Sequence, residues 1–326
     1  MASSASAESA GELHRFLFEG LPVRGQLVRL GASWREMLAR HESQPYAAPV
    51  RALLGEMAAA GVLMQANLDF NGTLILQVYG DGPVKLAVVE VQRELNFRAT
   101  ATVRGEVAAD AGLEALLNLH GQGRCAITLD PAQRRPGQQP YQGVVPLHGD
   151  RREPLQQLSQ VLEHYMLQSA QLDTRLVLAA DDRMAAGLLI QRLPTQGPTR
   201  VAGERDEDQI GLNEDFNRIA HLAATLTREE LLTLDADTVL RRLFWEERVR
   251  RFEPRQARFA CRCGRERVAG MLRGLGRDEV DSIITERGEV EVGCEFCGRQ
   301  YRFDPIDAAR LFIPEADQPP GADALN

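Results

Sequence analysis

The sequence predicts an α+β protein in three parts: a mixed N-terminal domain, a charged helical linker and a small cysteine-bearing C-terminal domain. Three observations carry that reading. Strand-like and helix-like apolar periods interleave from Leu13 to about Pro194. A charge-dense stretch with a thin apolar stripe follows, from Glu204 to Arg250. Four of the five cysteines then fall in two tight pairs. At 326 residues the chain is long enough for two to three domains of about 150 residues, so a sizeable core needs no disulfide staples. The expected divisions are a disordered tail at 1–11, an α+β core domain at 12–200, a metastable helical linker at 201–257, a four-cysteine domain at 258–312 and a second disordered tail at 313–326.

Within the first domain, Val23 to Leu30 (VRGQLVRL) is rich in strand formers, and Ser33 is placed to cap a helix through Trp34, Met37 and Leu38. Pro49 to Leu63 has helical spacing, with Val50, Leu53, Leu54, Met57 and Ala58 on one face. Thr73 to Tyr79 and Val84 to Val91 read as strands joined through Gly80-Asp81-Gly82-Pro83, a hairpin. Thr100 to Val107 and Cys125 to Leu129 read as further strands, and Pro154 to Gln168 as a helix striped by Leu155, Leu158, Leu162 and Tyr165. Proline, glycine and acidic residues mark a boundary from Pro194 to Gly211. Glu204 to Arg250 then holds 12 acidic residues and 7 arginines in 47 positions, with Leu222, Leu226, Leu231, Leu232, Leu240, Leu243, Phe244 and Trp245 at roughly helical spacing. Thr227-Arg228-Glu229-Glu230 offers a capping-box start. Short helices of this kind are marginal alone and depend on docking to a neighbour, so the linker is expected to fold conditionally.

Composition excludes several classes. With 44% hydrophobic and 26% charged residues the chain is neither disordered nor fibrous. A formal net charge of -8 speaks against a generic polyanion binder. The longest useful uncharged stretch, Met57 to Leu68, has 12 residues, short of the roughly 18–20 that span a bilayer. The N-terminus lacks the positive and apolar regions of a secretory signal. A cytoplasmic location is the expectation, and in that reducing compartment paired cysteines serve metals or redox chemistry more often than structural disulfides.

Cys261-Arg262-Cys263-Gly264 and Cys294-Glu295-Phe296-Cys297-Gly298 are separated by 30 residues, each pair closed by a glycine. Two local pairs brought together by the fold supply, at low loop cost, the four soft thiolates that zinc takes in a tetrahedron. Cys261, Cys263, Cys294 and Cys297 are therefore the candidate metal ligands for one Zn2+ per chain, which makes the last domain a zinc-binding one. The glycine after each pair is expected at positive φ, turning backbone N–H groups toward sulfur. Four thiolates on Zn2+ leave a formal charge of roughly -2. Arg262, Arg265, Arg267 and Arg299 are near enough in sequence to offset it.

A closed four-cysteine site is usually structural, but two features point further. A disulfide across the single residue of a Cys-x-Cys pair would be strained and readily reduced again. Zinc contributes about 10–16 kcal/mol of apparent folding free energy in small sites, whereas a disulfide closing three or four residues contributes under about 2 kcal/mol. Oxidation with metal loss is thus expected to unfold the module, deprive the linker of its docking partner and expose the linker's Leu, Phe and Trp stripe.

At these residues, within FACRCGRERVAGML and VEVGCEFCGRQYRFD, the chain resembles the bacterial redox-regulated heat-shock holdases, the thirty-three-kilodalton chaperonin family. That family's cysteine motif is a Cys-x-Cys and a Cys-x-x-Cys about thirty residues apart. Arg15 to Glu19 (RFLFE) with Val23-Arg24-Gly25, Pro49 to Glu56 (PVRALLGE), Gly80 to Val84 (GDGPV), Tyr141 to Leu147 (YQGVVPL), His164 to Gln168 with Leu172 to Arg175, and Leu240 to Glu247 also look like the family. Coverage runs from about His14 to Phe312. The resemblance implies an ATP-independent chaperone and no enzyme, zinc-bound, monomeric and inactive when reduced. It implies activation by oxidant and unfolding stress, through Cys261–Cys263 and Cys294–Cys297 disulfides, zinc release and linker unfolding. Unfolding proteins would be the clients, an ATP-driven chaperone system would receive them, and the oxidised form would be a homodimer. Cys125 has no counterpart in the motif and is expected to be a buried thiol.

The alternative is a zinc-ribbon nucleic-acid-binding protein, because Arg241 to Arg273 carries 11 arginines against 4 glutamates. Net charge and the resemblance weigh against nucleic acid as a partner. A thiol oxidoreductase resting on Cys294 and Cys297 lacks the βαβ setting such a motif needs. Gly121-Gln122-Gly123-Arg124-Cys125-Ala126 spells a dinucleotide pattern, but it follows a helical stretch and enters a strand, the reverse of the required order. The six histidines form no ligand spacing, and no catalytic residue is assigned.

Overall fold

The computed structural model describes residues 10–135, 137–193, 211 and 213–313. The expected tails before residue 10 and after residue 313, and the boundary at 194–210, lie outside the described residues. Two compact units divide between Ala260 and Cys261. Among the described residues no helix is long and apolar enough to cross a membrane.

The first unit opens with β1 (Ala10–Phe18) and β2 (Val23–Leu30), followed by α1 (Gly31–Ala39) and α2 (Ala48–Asn67). Next come β3 (Gly72–Tyr79), β4 (Val84–Gln92), β5 (Asn96–Val103), α3 (Leu113–Leu117), β6 (Arg124–Pro131) and β7 (Tyr141–Pro146). Then α4 (Leu158–Ala170) leads to β8 (Thr174–Ala180) and β9 (Ala185–Arg192). After these stand α5 (Glu214–Ala224), α6 (Arg228–Thr233), α7 (Ala236–Phe244), β10 (Val249–Arg251) and β11 (Arg255–Phe259). The strands form one sheet in the order β7-β6-β3-β4-β5-β11-β1-β2-β9-β8, with β10 paired to β1. β11 joins the two halves, antiparallel to β1 with Leu13 opposite Arg255 and parallel to β5 with Phe259 opposite Phe97.

The sheet is apolar on both faces where β2 and β9 run, and the two-residue period of a strand sorts their side chains. Val28 and Leu189 enter the core around α2, while Leu27, Leu188 and Ile190 enter a second core on the opposite face. β9 is buried along its whole length. That is why AAGLLIQR carries no alternating signal and was not anticipated as a strand. α2 shows the same effect in a helix. Its expected face is buried, but so are Ala59, Ala60, Val62, Leu63 and Met64, because the helix packs against β2, β3, β4, β5, β8 and β9.

Several local expectations shift. Helix α1 begins before Ser33, whose hydroxyl donates to the Ala257 carbonyl at 2.9 Å and accepts from the Gly11 N–H at 3.2 Å, so Ser33 ties β1 to β11 instead of capping. β1 starts at Ala10, inside the expected tail. The strand expected at Thr100 to Val107 starts at Asn96 and stops at Val103. The helix expected from Pro154 starts at Leu158, where Gln157 and Gln160 form a capping box.

The charged stretch is helical as expected, and each helix opens on a side-chain cap: Asn213 accepts from Phe216 N–H, Thr227 from Glu230 N–H, and Asp235 from Thr238 N–H. Their apolar faces, with Phe216, Ile219, Leu231, Val239 and Leu243, cover Phe16, Phe18, Val23 and Leu27. The docking partner of these helices is therefore the sheet. Phe244 meets Phe18 edge-on with ring centroids 5.0 Å apart. Arg29 donates to the carbonyls of Leu231 and Leu232 at 2.6 and 3.1 Å. Trp245, expected in the stripe, is exposed. Residues 249–257, expected within the helical linker, and Arg258 and Phe259, expected at the start of the four-cysteine domain, contribute β10 and β11 to the sheet of the first unit instead.

The second unit holds α8 (Arg265–Leu275), α9 (Arg277–Arg287), β12 (Val290–Gly293), β13 (Gln300–Phe303) and α10 (Pro305–Leu311). Among the described residues its core has eight that are buried: Val268, Ala269, Leu272, Val280, Val290, Tyr301, Phe303 and Ala308. A core of that size rarely holds a small domain without a staple.

Two measurements test this packing. Phe16 lies opposite Gly25, and a Cβ on Gly25 would stand 2.1 Å from the Phe16 ring. Gly25→Ala should lower stability by about 1–3 kcal/mol in urea unfolding, and an unchanged midpoint would show that the ring can move aside. Glu56 on α2 lines a cleft of about 540 Å³ beside Leu53, Leu116 and Leu226. Burial pushes its carboxyl from the ordinary 4.5 up to about 7, against the pull of Arg228. A carboxyl raised in the folded state costs stability when ionised: the cost is absent below the unfolded value and fully present above about pH 7. Glu56→Gln should therefore stabilise the protein on the order of 1–3 kcal/mol near pH 8 and not near pH 4. Equal gains at both would locate the effect elsewhere.

Candidate metal centre

Antiparallel pairing of β12 with β13, Gly293 opposite Gln300, makes a hairpin whose turn carries Cys294 and Cys297. The turn closes through Cys294 N–H to the Arg299 carbonyl at 2.9 Å and Gly298 N–H to the Cys294 carbonyl at 2.8 Å. Gly298 has φ of +67°, as expected for the residue after the pair. Gly264, from which the same was expected, is extended at φ -165° because it serves as the residue before α8. Cys261 and Cys263 lie on the stretch just ahead of it.

The structure brings all four predicted ligands together. Their sulfurs lie within 4.8 Å of one another, with Cys261 to Cys294 at 3.6 Å and Cys263 to Cys297 at 3.3 Å. A zinc–sulfur bond of about 2.3 Å sets tetrahedral sulfur–sulfur edges of roughly 3.8 Å. Four soft donors at this spacing fit a tetrahedral thiolate-loving metal. Cys125 belongs to the first unit, buried as expected on β6 opposite Val78, and burial pushes its thiol up to about 12.

Three of the thiols are unequal. Burial would raise Cys263, but hydrogen bonds from the Tyr301 hydroxyl and the neighbouring sulfurs bring it down to about 7. Burial pushes Cys294 up, opposed by the N–H groups of Phe296 and Cys297, and pushes Cys297 up, opposed by the Arg299 N–H. Of these three, Cys263 is the first to ionise, which metal binding requires.

Tyr301 was missed in the sequence. Its hydroxyl donates to Cys263 Sγ at 3.1 Å, and the signal available was the alternation of β13, which buries Tyr301 and Phe303 and exposes Gln300 and Arg302. The arginines divide their roles. Arg299 interacts electrostatically with Cys263 and Cys297 as anticipated. Arg265 is instead committed to the fold, bound to the Arg302 carbonyl and Asp307 and stacked 4.3 Å from the centre of the Phe303 ring.

A family model described as Hsp33 protein matches residues 11–304. The chain is 46% identical over 301 residues to the 33 kDa chaperonin of Chromobacterium violaceum, covering 92% of this chain and 93% of that one. It is 42% identical over 314 residues to the 33 kDa chaperonin of Shewanella woodyi, covering 95% and 100%. The crystal structure of the 33 kDa chaperonin (heat shock protein 33 homolog) from Thermotoga maritima has the same fold, with a TM-score of 0.72 at 21% identity over 93% of this chain and 97% of that one.

Removing a group that orients a ligand typically weakens metal binding by about ten- to a hundredfold. Tyr301→Phe should do so in a chelator competition, while Gln300→Ala, on the exposed side of the same strand, should not. Equal affinities for the two variants would show that the Tyr301 hydroxyl does not support the site.

Proposed function

Since the chain belongs to the Hsp33 family, we propose that it is a cytoplasmic, redox-regulated and ATP-independent holdase, a binding protein and not an enzyme. It is zinc-bound and inactive when reduced, and holds unfolding proteins once oxidised. The observation that supports this most is the convergence of Cys261, Cys263, Cys294 and Cys297 in a unit with only eight buried core residues. Bound by those four thiolates, a zinc ion supplies a cross-link between the stretch before α8 and the β12–β13 turn, at about 10–16 kcal/mol.

Oxidation forms the disulfides Cys261–Cys263 and Cys294–Cys297. Each pair of thiolates would give two electrons to one hydrogen peroxide, which takes up two protons from solvent and leaves as two waters, with Zn2+ released once both pairs have reacted. All four ligands are consumed, so the disulfide and metal-bound states exclude each other. Two disulfides that each close only three or four residues contribute under about 2 kcal/mol apiece, and neither connects one cysteine pair to the other. The second unit then unfolds.

The linker follows through the chain itself. Arg258 and Phe259 pair with Asn96 and Phe97, and Ala260 N–H donates to the Phe97 carbonyl at 3.0 Å, immediately before Cys261. Disorder beginning at Cys261 frays this short parallel pairing, then β10, then α5–α7, which are too short to persist undocked. Their release uncovers Phe16, Phe18 and the apolar face of β9 for unfolding clients. The oxidised form dimerises and passes clients to an ATP-driven chaperone system.

Reduced protein should bind one zinc per chain and leave the light scattering of a heat-unfolded client unchanged, whereas peroxide at elevated temperature should give a zinc-free form that suppresses it. Suppression in both redox states would overturn the switch. Cys261→Ser combined with Cys263→Ser should abolish metal binding, and unchanged zinc stoichiometry would assign other ligands. In the oxidised form proteases should cut first between Glu214 and Phe244, and equal protection in both states would refute linker release.

A further inference from the structure

Among the described residues β8 ends the sheet, and its outer edge has a gap in its hydrogen bonding. Asp173 accepts from Arg192 N–H at 3.0 Å and Asp181 donates to the Met184 carbonyl at 2.9 Å. The odd-numbered residues between them therefore exchange hydrogen bonds with β9, and the backbone groups of Leu176, Leu178 and Ala180 point outward. Side chains occupy both ends of that outward row. Glu163 of α4 accepts from Leu176 N–H at 2.7 Å, and Arg228, which opens α6, donates to the Ala180 carbonyl at 2.5 Å. The groups between these plugs, namely the Leu176 carbonyl, both groups of Leu178 and the Ala180 N–H, have no hydrogen-bond partner among the described residues. An edge left open in this way is a template for another strand.

This edge lines the cleft of about 540 Å³ that also holds Glu56. The Glu56 carboxylate makes no hydrogen bond or ion pair among the described residues, and Arg228 acts on it only through space. Alternating backbone donors and acceptors specify an extended backbone as occupant, and the unpaired carboxylate specifies a basic side chain on it. Leu53 and Leu226 supply apolar wall.

We propose that the β8 cleft is a client site, in which an extended polypeptide segment adds as a strand along Leu176–Ala180 and sets a lysine or arginine against Glu56. This rests on the holdase reading above and names the kind of segment held. It also gives linker release a second consequence. Leu226 and Arg228 belong to the linker, so its departure opens one wall of the cleft and frees the Ala180 carbonyl, lengthening the available edge.

The test uses oxidised full-length protein and a labelled peptide of about nine residues that alternates valine and threonine around a central lysine. Binding is followed by fluorescence anisotropy, and amide exchange of Leu178 and Ala180 by NMR. The peptide should slow exchange of those two amides by about tenfold or more, and should bind about tenfold more tightly than the same peptide with a central glutamate. Glu56→Gln, which should fold at least as well as the parent, should reduce that preference to about twofold. Absence of binding, or binding that leaves both amides unprotected, overturns the site. Light scattering on the same preparation separates the two readings: suppression without amide protection leaves the holdase and removes the cleft, whereas protection without suppression leaves the strand site and removes the holdase.

Discussion

Every residue of β9 from Ala185 to Arg192 is buried, and much of the remaining structure answers the demand this makes for cover on two faces of a sheet. On one face the cover is α2, a 20-residue helix buried nearly all round. On the other it is α5, α6 and α7, helices of 11, 6 and 9 residues. A long central helix enclosed by strands cannot leave without dissolving the core. Three short amphipathic helices laid on a finished sheet can, because each buries only one face and leaves its charged face in water. The buried polar side chains at the far end of β9 are paired, Gln191 with Thr174 and Arg24, and Arg192 with Asp173 at 2.7 Å, so their burial there leaves these groups satisfied.

The second unit meets the opposite problem, too little to bury. Its eight-residue core and one two-stranded ladder leave stability to the cysteine cluster and to a few side chains serving two purposes. Tyr301 fills the core and orients Cys263, and Arg265 stacks on Phe303 while bridging to Asp307. Held by the proposed metal, such a unit would have few states between cross-linked and unfolded. A chemical change at four sulfurs is then large compared with everything else holding the unit, whereas the same change at Cys125 in the first unit would be small beside its surroundings.

Legibility in the sequence followed how far a residue's role was set by its neighbours in the chain. The four cysteines, the capping box at Thr227 and Glu230, the β3–β4 hairpin and α2 were readable because spacing, local hydrogen bonding or a turn defines them. β9 was not, since burial on both faces erases alternation. β10 and β11 were hidden in an arginine-rich stretch whose pairing with β1 and β5 depends on residues more than 150 positions away. Ser33 looked like a cap because its role, holding Ala257 and Gly11, is entirely long-range. Gly264 and Gly298 stand alike in sequence, yet only the second closes a hairpin, and the ladder, not the motif, decides which takes positive φ.

Under the proposed switch a cover that leaves must also return, and the caps bear on this. Asn213, Thr227 and Asp235 each satisfy an N-terminal amide of their own helix, contributing about 1 kcal/mol apiece without help from the sheet. Docking contributes the rest, through Phe216, Ile219, Leu231, Val239 and Leu243. Undocking removes the second contribution and leaves the first, so the released stretch keeps its bias toward where each helix begins. Re-docking then orders three pre-marked helices instead of nucleating them from coil, which lowers the entropic cost of return. Local capping and long-range burial therefore act at different steps, the caps in recovery and the sheet in retention, and a linker built from only one of them would either be slow to re-form or fail to stay docked.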